Sequence, residues 1–296
     1  MLVNLRDRTA HLIALVLLPL TLVAGGCATA PQKPIADWHD AVLATQAQSA
    51  TTFRSVNDLV RESQVRRAGN LASIKESDFQ AGLDPDSLAT WDRAFDALAK
   101  YSAALSTLLG PDLSAGVGAS TKQLGESIAT TAKSDLLTKR PGLSTALGSL
   151  AEKLTAQVAS GKAKDVMAES NATVAEVLGQ MARMIADDSG ADTTGVYATV
   201  HSAWTLRADE IRLEFLSAPS PDAKRAVAER YVAALQSRDA ADSALMGLRA
   251  SLFELAAAHS RAAAGGPMDT AALIANIREQ TAFFKALLVD LKPAKN

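Results

Sequence analysis

Asp86-Ser-Leu-Ala-Thr-Trp-Asp-Arg-Ala-Phe-Asp-Ala-Leu-Ala-Lys-Tyr-Ser-Ala-Ala-Leu-Ser-Thr-Leu-Leu-Gly110 is the stretch that decides the fold. Leu88, Trp91, Phe95, Leu98, Ser102, Leu105 and Leu109 follow one another at alternating steps of three and four. That spacing lines up one face of an α-helix and holds it for three heptads, as in coiled-coil-like bundle packing. Asp86 or Ser87 is expected to cap the helix, and Gly110-Pro111 to stop it. A helix with one such seam must find another helix to bury it.

The same period recurs along the chain. A first helix is expected from about Ala36 to Ser77, with Trp38, Val42, Phe53, Val56, Val60, Leu71 and Ile74 on one face. The tract Thr45-Gln-Ala-Gln-Ser-Ala-Thr-Thr52 weakens that face in the middle. Residues 112–138 read as a loosely held helix. Its glycines 116, 118 and 125 each cost up to about 1 kcal/mol relative to Ala but permit a close neighbour. Pro141 suits the first turn of a further helix. Its stripe Leu143, Leu147, Leu150, Leu154, Val158 resumes after Gly161 with Met167, Val174, Leu178, Met181 and Ile185, which suggests one long helix to about Asp187, kinked at Gly161.

Tyr197, His201, Trp204, Ala208, Ile211 and Phe215 line a helix from about Thr193 to Ser217. Val227 to Ala262 line one from Asp222 to about Ala264. Leu273, Ile277, Phe284, Leu287 and Leu291 line the last, from Asp269. No stretch alternates apolar and polar residues as a half-buried strand does. The apolar content is 48% with only 4% aromatic, so it is mostly the helix formers Ala and Leu. Short connections make neighbours antiparallel. The expectation is an all-α, elongated antiparallel bundle of about seven helices, several of them long, occupying residues 36–292.

Little in this bundle points to catalysis. Beyond residue 26 the histidines are His39, His201 and His259, and none has a Glu three or four residues away. The bundle metal sites built from Glu-x-x-His therefore have no counterpart, and no second cysteine exists. There is no Gly-x-Ser-x-Gly, no Ser three residues before a Lys, and no phosphate-cradling loop. No metal, no cofactor and no enzymatic activity are expected. His201 and His259 lie on apolar stripes of separate helices. If those helices face each other, Tyr197, His201, Trp204 and His259 would line a pocket for a small or pH-sensitive ligand. The ordinary alternative is two neutral histidines packed in helix interfaces.

The N-terminus says where the chain goes. Arg6 and Arg8 precede an apolar run from Leu12 to Leu22, and Val23-Ala-Gly-Gly26 leads into Cys27, the single cysteine. A basic start, a short apolar middle and a small-residue end form a secretory signal. With a cysteine directly after the small residues, residues 1–27 resemble a bacterial lipoprotein precursor. That resemblance implies cleavage after residue 26, acyl chains on Cys27, and stable attachment, because each buried methylene contributes about 0.8 kcal/mol and several chains are present. Ala28, where Asp would favour retention at the inner membrane, implies the periplasmic face of the outer membrane. Residues 27–35, with Pro31 and Pro34, read as a lipidated cysteine and a tether.

Loss of residues 1–26 removes Arg6, Arg8 and Asp7. It turns 30 basic and 32 acidic residues into 28 and 31, a net charge of −3. Such a surface attracts no polyanion, so nucleic acid is not an expected partner. The reading that follows is a lipid-anchored structural or protein-interaction module with an envelope or periplasmic protein partner. The alternatives are a helical binding module for a small or apolar ligand, with Met181 and Met184 as soft lining and residues 112–138 as its wall, or an inhibitor of a secreted protein.

Overall fold

A computed structural model describes residues 32–69, 71–108, 115–157, 163–187, 195–266 and 270–289. The signal, Cys27 and the first part of the tether lie outside them, as do Leu109 to Leu113, the Gly161 kink and Leu291. The described residues are helical and form an all-α bundle: α1 Gln32–Ala68, a 3-10 turn Glu76–Phe79, α2 Pro85–Leu108, α3 Ala115–Ala132, the single turn α4 Asp135–Thr138, α5 Pro141–Gln157, α6 Ala163–Ile185, α7 Gly195–Ser217, α8 Pro221–Ala263 and α9 Thr270–Val289.

The number of helices exceeds seven because two expected helices are divided. Residues 112–138 give α3 and α4. Residues 141–187 give α5 and α6, which are not one kinked rod but fold back on each other: Lys153 Nζ donates to Thr173 Oγ1 and to the Glu169 carbonyl, both at 2.8 Å, and Gly142 faces Gln180. Folding back lets the two leucine stripes cover each other, which a single helix cannot do. The first helix also differs from expectation at both ends. It starts at Gln32, inside the stretch read as tether, and Ile35 is already buried. Pro34 costs little there, since first-turn N–H groups have no helical partner anyway. It stops at Ala68, before Gly69 and after Arg66 and Arg67, cations that suit a helix C-terminus. Leu71 and Ile74, expected on its buried face, are therefore exposed in the following loop.

Most packed pairs run antiparallel, while α1 and α7 run parallel, with Phe53 near Val196 and Arg66 at Glu210. Phe53 meets Trp91 and His39 meets Ser102 across α1 and α2. Ser144 reaches the Ala132 carbonyl while Gly125 abuts Thr155 across α3 and α5. Asn171 meets Ser260 and Arg249 meets the Ala186 carbonyl across α6 and α8. His201 meets Asp242 and Glu214 meets Arg230 across α7 and α8. Helices α1, α2, α3, α5, α6 and α8 follow one another around the bundle, with α9 against α1 and α8. Spanning 43 residues, α8 is about 64 Å long at 1.5 Å per residue.

The α2 seam is the centre of the core. Trp91, Phe95, Leu98, Tyr101, Ser102 and Leu105 are buried, and so are the small residues Ala94, Ala97 and Ala104 that let neighbours approach. The polar tract of α1 is buried as well. Thr45, Ser49 and Thr52 each donate their hydroxyl to the carbonyl four residues back, at 2.7, 2.7 and 3.1 Å. Satisfied in this way, a hydroxyl can face the core at small cost. Gly125 lets α3 approach α5 closely, since a β-carbon there would lie 2.6 Å from Thr155 Oγ1. Between α6 and α7, Gly195 has φ +80° and a β-carbon there would sit 2.7 Å from the carbonyls of Met184 and Ile185.

The cap of α2 lies earlier than Asp86 or Ser87. Asp84 accepts from the Ser87 backbone N–H at 2.8 Å and from its hydroxyl at 2.7 Å, with Pro85 as the first helical residue. The Ser87 bonds hold the Asp84 carboxyl below the ordinary Asp range. Its stabilising effect is present above that range and fades as pH falls through it. Asp84→Ala should lower stability by about 1 kcal/mol at pH 7 in urea denaturation, and the difference from wild type should shrink at pH 3.

Candidate functional site

The four residues read as pocket-lining are not brought together. Helices α7 and α8 do pack on each other, but His201 lies opposite Asp242, not His259. Asp242 and His259 are 17 positions apart on α8, which is about 25 Å along its axis. Trp204 is buried in the main core with Val196, Val200 and Ala203. The sequence showed that both histidines sit on apolar stripes. It did not show where along α8 each stripe meets its neighbour.

His201 forms a small polar cluster. Its Nδ1 is 2.7 Å from Asp242 Oδ2, and Tyr197 donates its hydroxyl to the same oxygen at 3.3 Å. The Tyr197 and His201 rings stack with centroids 5.8 Å apart. Asp242 accepts both bonds and so fixes the ring of a partly exposed histidine.

His259 is itself buried and belongs to a network that joins four helices, with the partly buried Asn171 at its edge. Asn171 Oδ1 on α6, which can only accept, lies 3.1 Å from Nδ1, so Nδ1 carries the proton. Nε2 is then the acceptor for the Tyr101 hydroxyl of α2 at 3.0 Å. Trp38 of α1 packs edge-on against the imidazole at 4.9 Å and donates Nε1–H to the Leu255 carbonyl at 3.0 Å. Every ring nitrogen in the group has a partner, as burial demands. Burial lowers the His259 pKa to about 3 and raises that of Tyr101. Both therefore stay neutral near pH 7. The arrangement is a structural pin in which both nitrogens of the buried ring are already occupied.

Another feature stands out at the far end of α7 and α8. Ile211, Val227 and Ala234, with Tyr231 and Ala218, form a small core separate from the main one. Around it, Leu213 is 61% and Leu216 70% exposed, and Phe215, Val232 and, further up α7, Leu206 are also exposed. Phe215, expected on the buried stripe, thus faces outward, with Lys224 Nζ 5.6 Å from its ring centre. Leu206, Leu213 and Leu216 are spaced by seven and three, so they share one face of α7. That second stripe is present in the sequence. Periodicity does not single it out, because the stripe from Tyr197 to Phe215 already accounts for the helix.

The apolar hairpin end is remote from the start of α1. Trp38, near that start, is level with Leu255, and from there to Pro221 α8 covers 34 residues, about 51 Å. Three ion pairs lie within the hairpin: Arg230–Glu214 at 2.6 Å, Arg212–Asp209 at 3.3 Å, Arg225–Asp222 at 3.7 Å.

Among the described residues, no helix is long and apolar enough to cross a membrane, and no three His, Cys, Asp or Glu side chains are grouped to hold a metal ion. No family model, no curated protein and no solved structure matches this chain.

The neutral His259 predicts a pH window. Its ordinary pKa of 6.5 applies to the unfolded chain, and about 3 to the folded one. Its contribution is complete above about pH 6.5 and is lost as pH falls from there toward 3, at up to about 1.4 kcal/mol per unit. Replacing it by Gln should lower stability at pH 7 and flatten the pH dependence between 6.5 and 4, read from urea midpoints.

Proposed function

We propose that this protein is a lipid-anchored envelope protein whose helical bundle holds an apolar hairpin end at a distance from the membrane for docking by a protein partner. Lipidation at Cys27, outer-membrane attachment and a periplasmic setting rest on the resemblance of residues 1–27 to lipoprotein precursors. The observation that carries the docking role is the exposed face formed by Leu206, Leu213 and Leu216 beside a small core of its own. Such a row is costly to leave in water, and apolar patches of this kind mark protein contacts. With three ion pairs already made inside the hairpin, the end offers apolar burial more than ionic attraction, so a complementary apolar helix face is the occupant that suits it. The N-terminal end of α1, five residues beyond Cys27, lies about 50 Å away along α8. An anchor there keeps the hairpin clear of the lipid surface.

Two experiments test this. Cys27→Ser should abolish incorporation of labelled palmitate and move the protein from membrane to soluble fractions; continued labelling would end the lipidation reading. Leu213→Arg combined with Leu216→Arg should leave the melting temperature within about 2 °C of wild type. It should also remove the partner crosslinked to wild type in intact envelopes. Crosslinks unchanged by the double variant would place the docking surface elsewhere.

A further inference from the structure

On the main body, α3 is an edge helix that packs on α2, α5 and the single turn α4. Among residues 118–132 it fully buries one branched aliphatic side chain, Ile128. Its other buried positions are Thr121, Gly125 and Ala132, with Leu124 and Ala129 half-buried against the core. The neighbouring α5, of similar length, buries Leu143, Leu147, Leu150 and Leu154. Apolar burial is the main force that holds one helix on another, and α3 has far less of it.

Its polar contacts do not make up the difference. Thr121 is fully buried, and its hydroxyl has no hydrogen-bond partner. Docking of α3 takes that hydroxyl out of water and gives it nothing in return. Among the described residues, the hydrogen bond that ties α3 to another helix runs from Ser144 Oγ to the carbonyl of Ala132, its last residue. The seam with α5 is also under-filled. An open groove of about 610 Å³ follows it, walled in part by Gly125, Ala129, Ala132, Gly148, Ala151 and Ala156. A β-carbon at Gly148 would meet nothing within 4 Å. Well-packed helix pairs leave no such space.

The local sequence adds to this. Gly116, Gly118 and Gly125 disfavour the helical state, and 18 residues with three glycines do not hold a helix alone in water. Leaving the bundle and losing the helix are therefore one event for α3.

We propose that α3 is a displaceable strap, which unfolds from the flanks of α2 and α5 and docks again while the helices beneath it stay folded. In the open state the main body presents flanks of α2 and α5 that the closed state covers. The device is independent of the hairpin and of the lipid anchor, so it stands or falls separately from the docking role.

The test is hydrogen exchange read by mass spectrometry on the full-length protein in detergent, without denaturant and in low urea. Amides of α3 should exchange roughly 100-fold faster than those of central α2 and α6, with little dependence on urea. Thr121→Val keeps the side-chain shape and removes the unpaired hydroxyl, and should slow exchange in α3 about tenfold. Ile128→Ala should speed exchange in α3 by about tenfold or more and leave α2 and α6 unchanged. Protection of α3 equal to that of α2 and α6 would overturn the proposal. So would an Ile128→Ala effect spread evenly over all three helices, since α3 would then open only with the whole bundle. Exchange in Thr121→Val as fast as in wild type would remove the hydroxyl from the mechanism.

Discussion

Trp38, Tyr101 and His259 meet in the buried interior of the bundle, with Asn171 at its edge, one each from α1, α2, α8 and α6. Each polar atom in that contact has one suitable partner, and the pairing works only with a neutral imidazole protonated on Nδ1. Moving one of these helices along its axis by a turn would leave a buried donor or acceptor unpaired, at a cost comparable to a sizeable share of a domain's net stability. Alanine and leucine seams tolerate such sliding far better, because one apolar step resembles the next. The network therefore sets the register of four helices whose remaining contacts are largely apolar.

From that register the rest follows. With Trp38 held level with Leu255, the far ends of α7 and α8 pair with each other beyond the main core. There the two helices share the small separate core of Ile211, Val227 and Ala234, with leucines exposed around it. In the proposed arrangement, attachment through Cys27 and protein docking fall at opposite ends of the bundle. The same register brings the start of α2 to the end of α6, where Arg140 and Arg183 line a cleft.

Much of the candidate chemistry could not be located without the fold. His201 and His259 are conspicuous in the chain, yet their meaning depends on which residue of α8 stands opposite. His201 meets a carboxylate and His259 meets a tyrosine and an amide, so one is a clamped surface ring and the other a structural pin. Arg140 is inconspicuous in the chain, being next to Lys139 in what reads as a solvated turn. Its position beside Trp91 arises from contacts between segments some fifty residues apart. Met184 lines a cleft between α2, α6 and α7, whereas Met181 is core and the described residues of 112–138 lie outside that cleft.

By itself the sequence determined the all-α class, the antiparallel order, and most of the buried faces, because three-and-four spacing and short connections are local properties. It also carried, in residues 1–27, the lipoprotein-like stretch on which the proposed address rests. It misplaced the end of α1 by nine residues and joined α5 to α6, since a continuing apolar period cannot show whether a chain runs straight or doubles back to cover its own stripe. Tertiary structure alone decided the axial offset between helices, and with it which polar side chains are paired, which leucines stay wet, and where a cavity opens. Those outcomes depend on interactions between residues far apart in the chain, and periodicity along one helix holds no information about its neighbour's register.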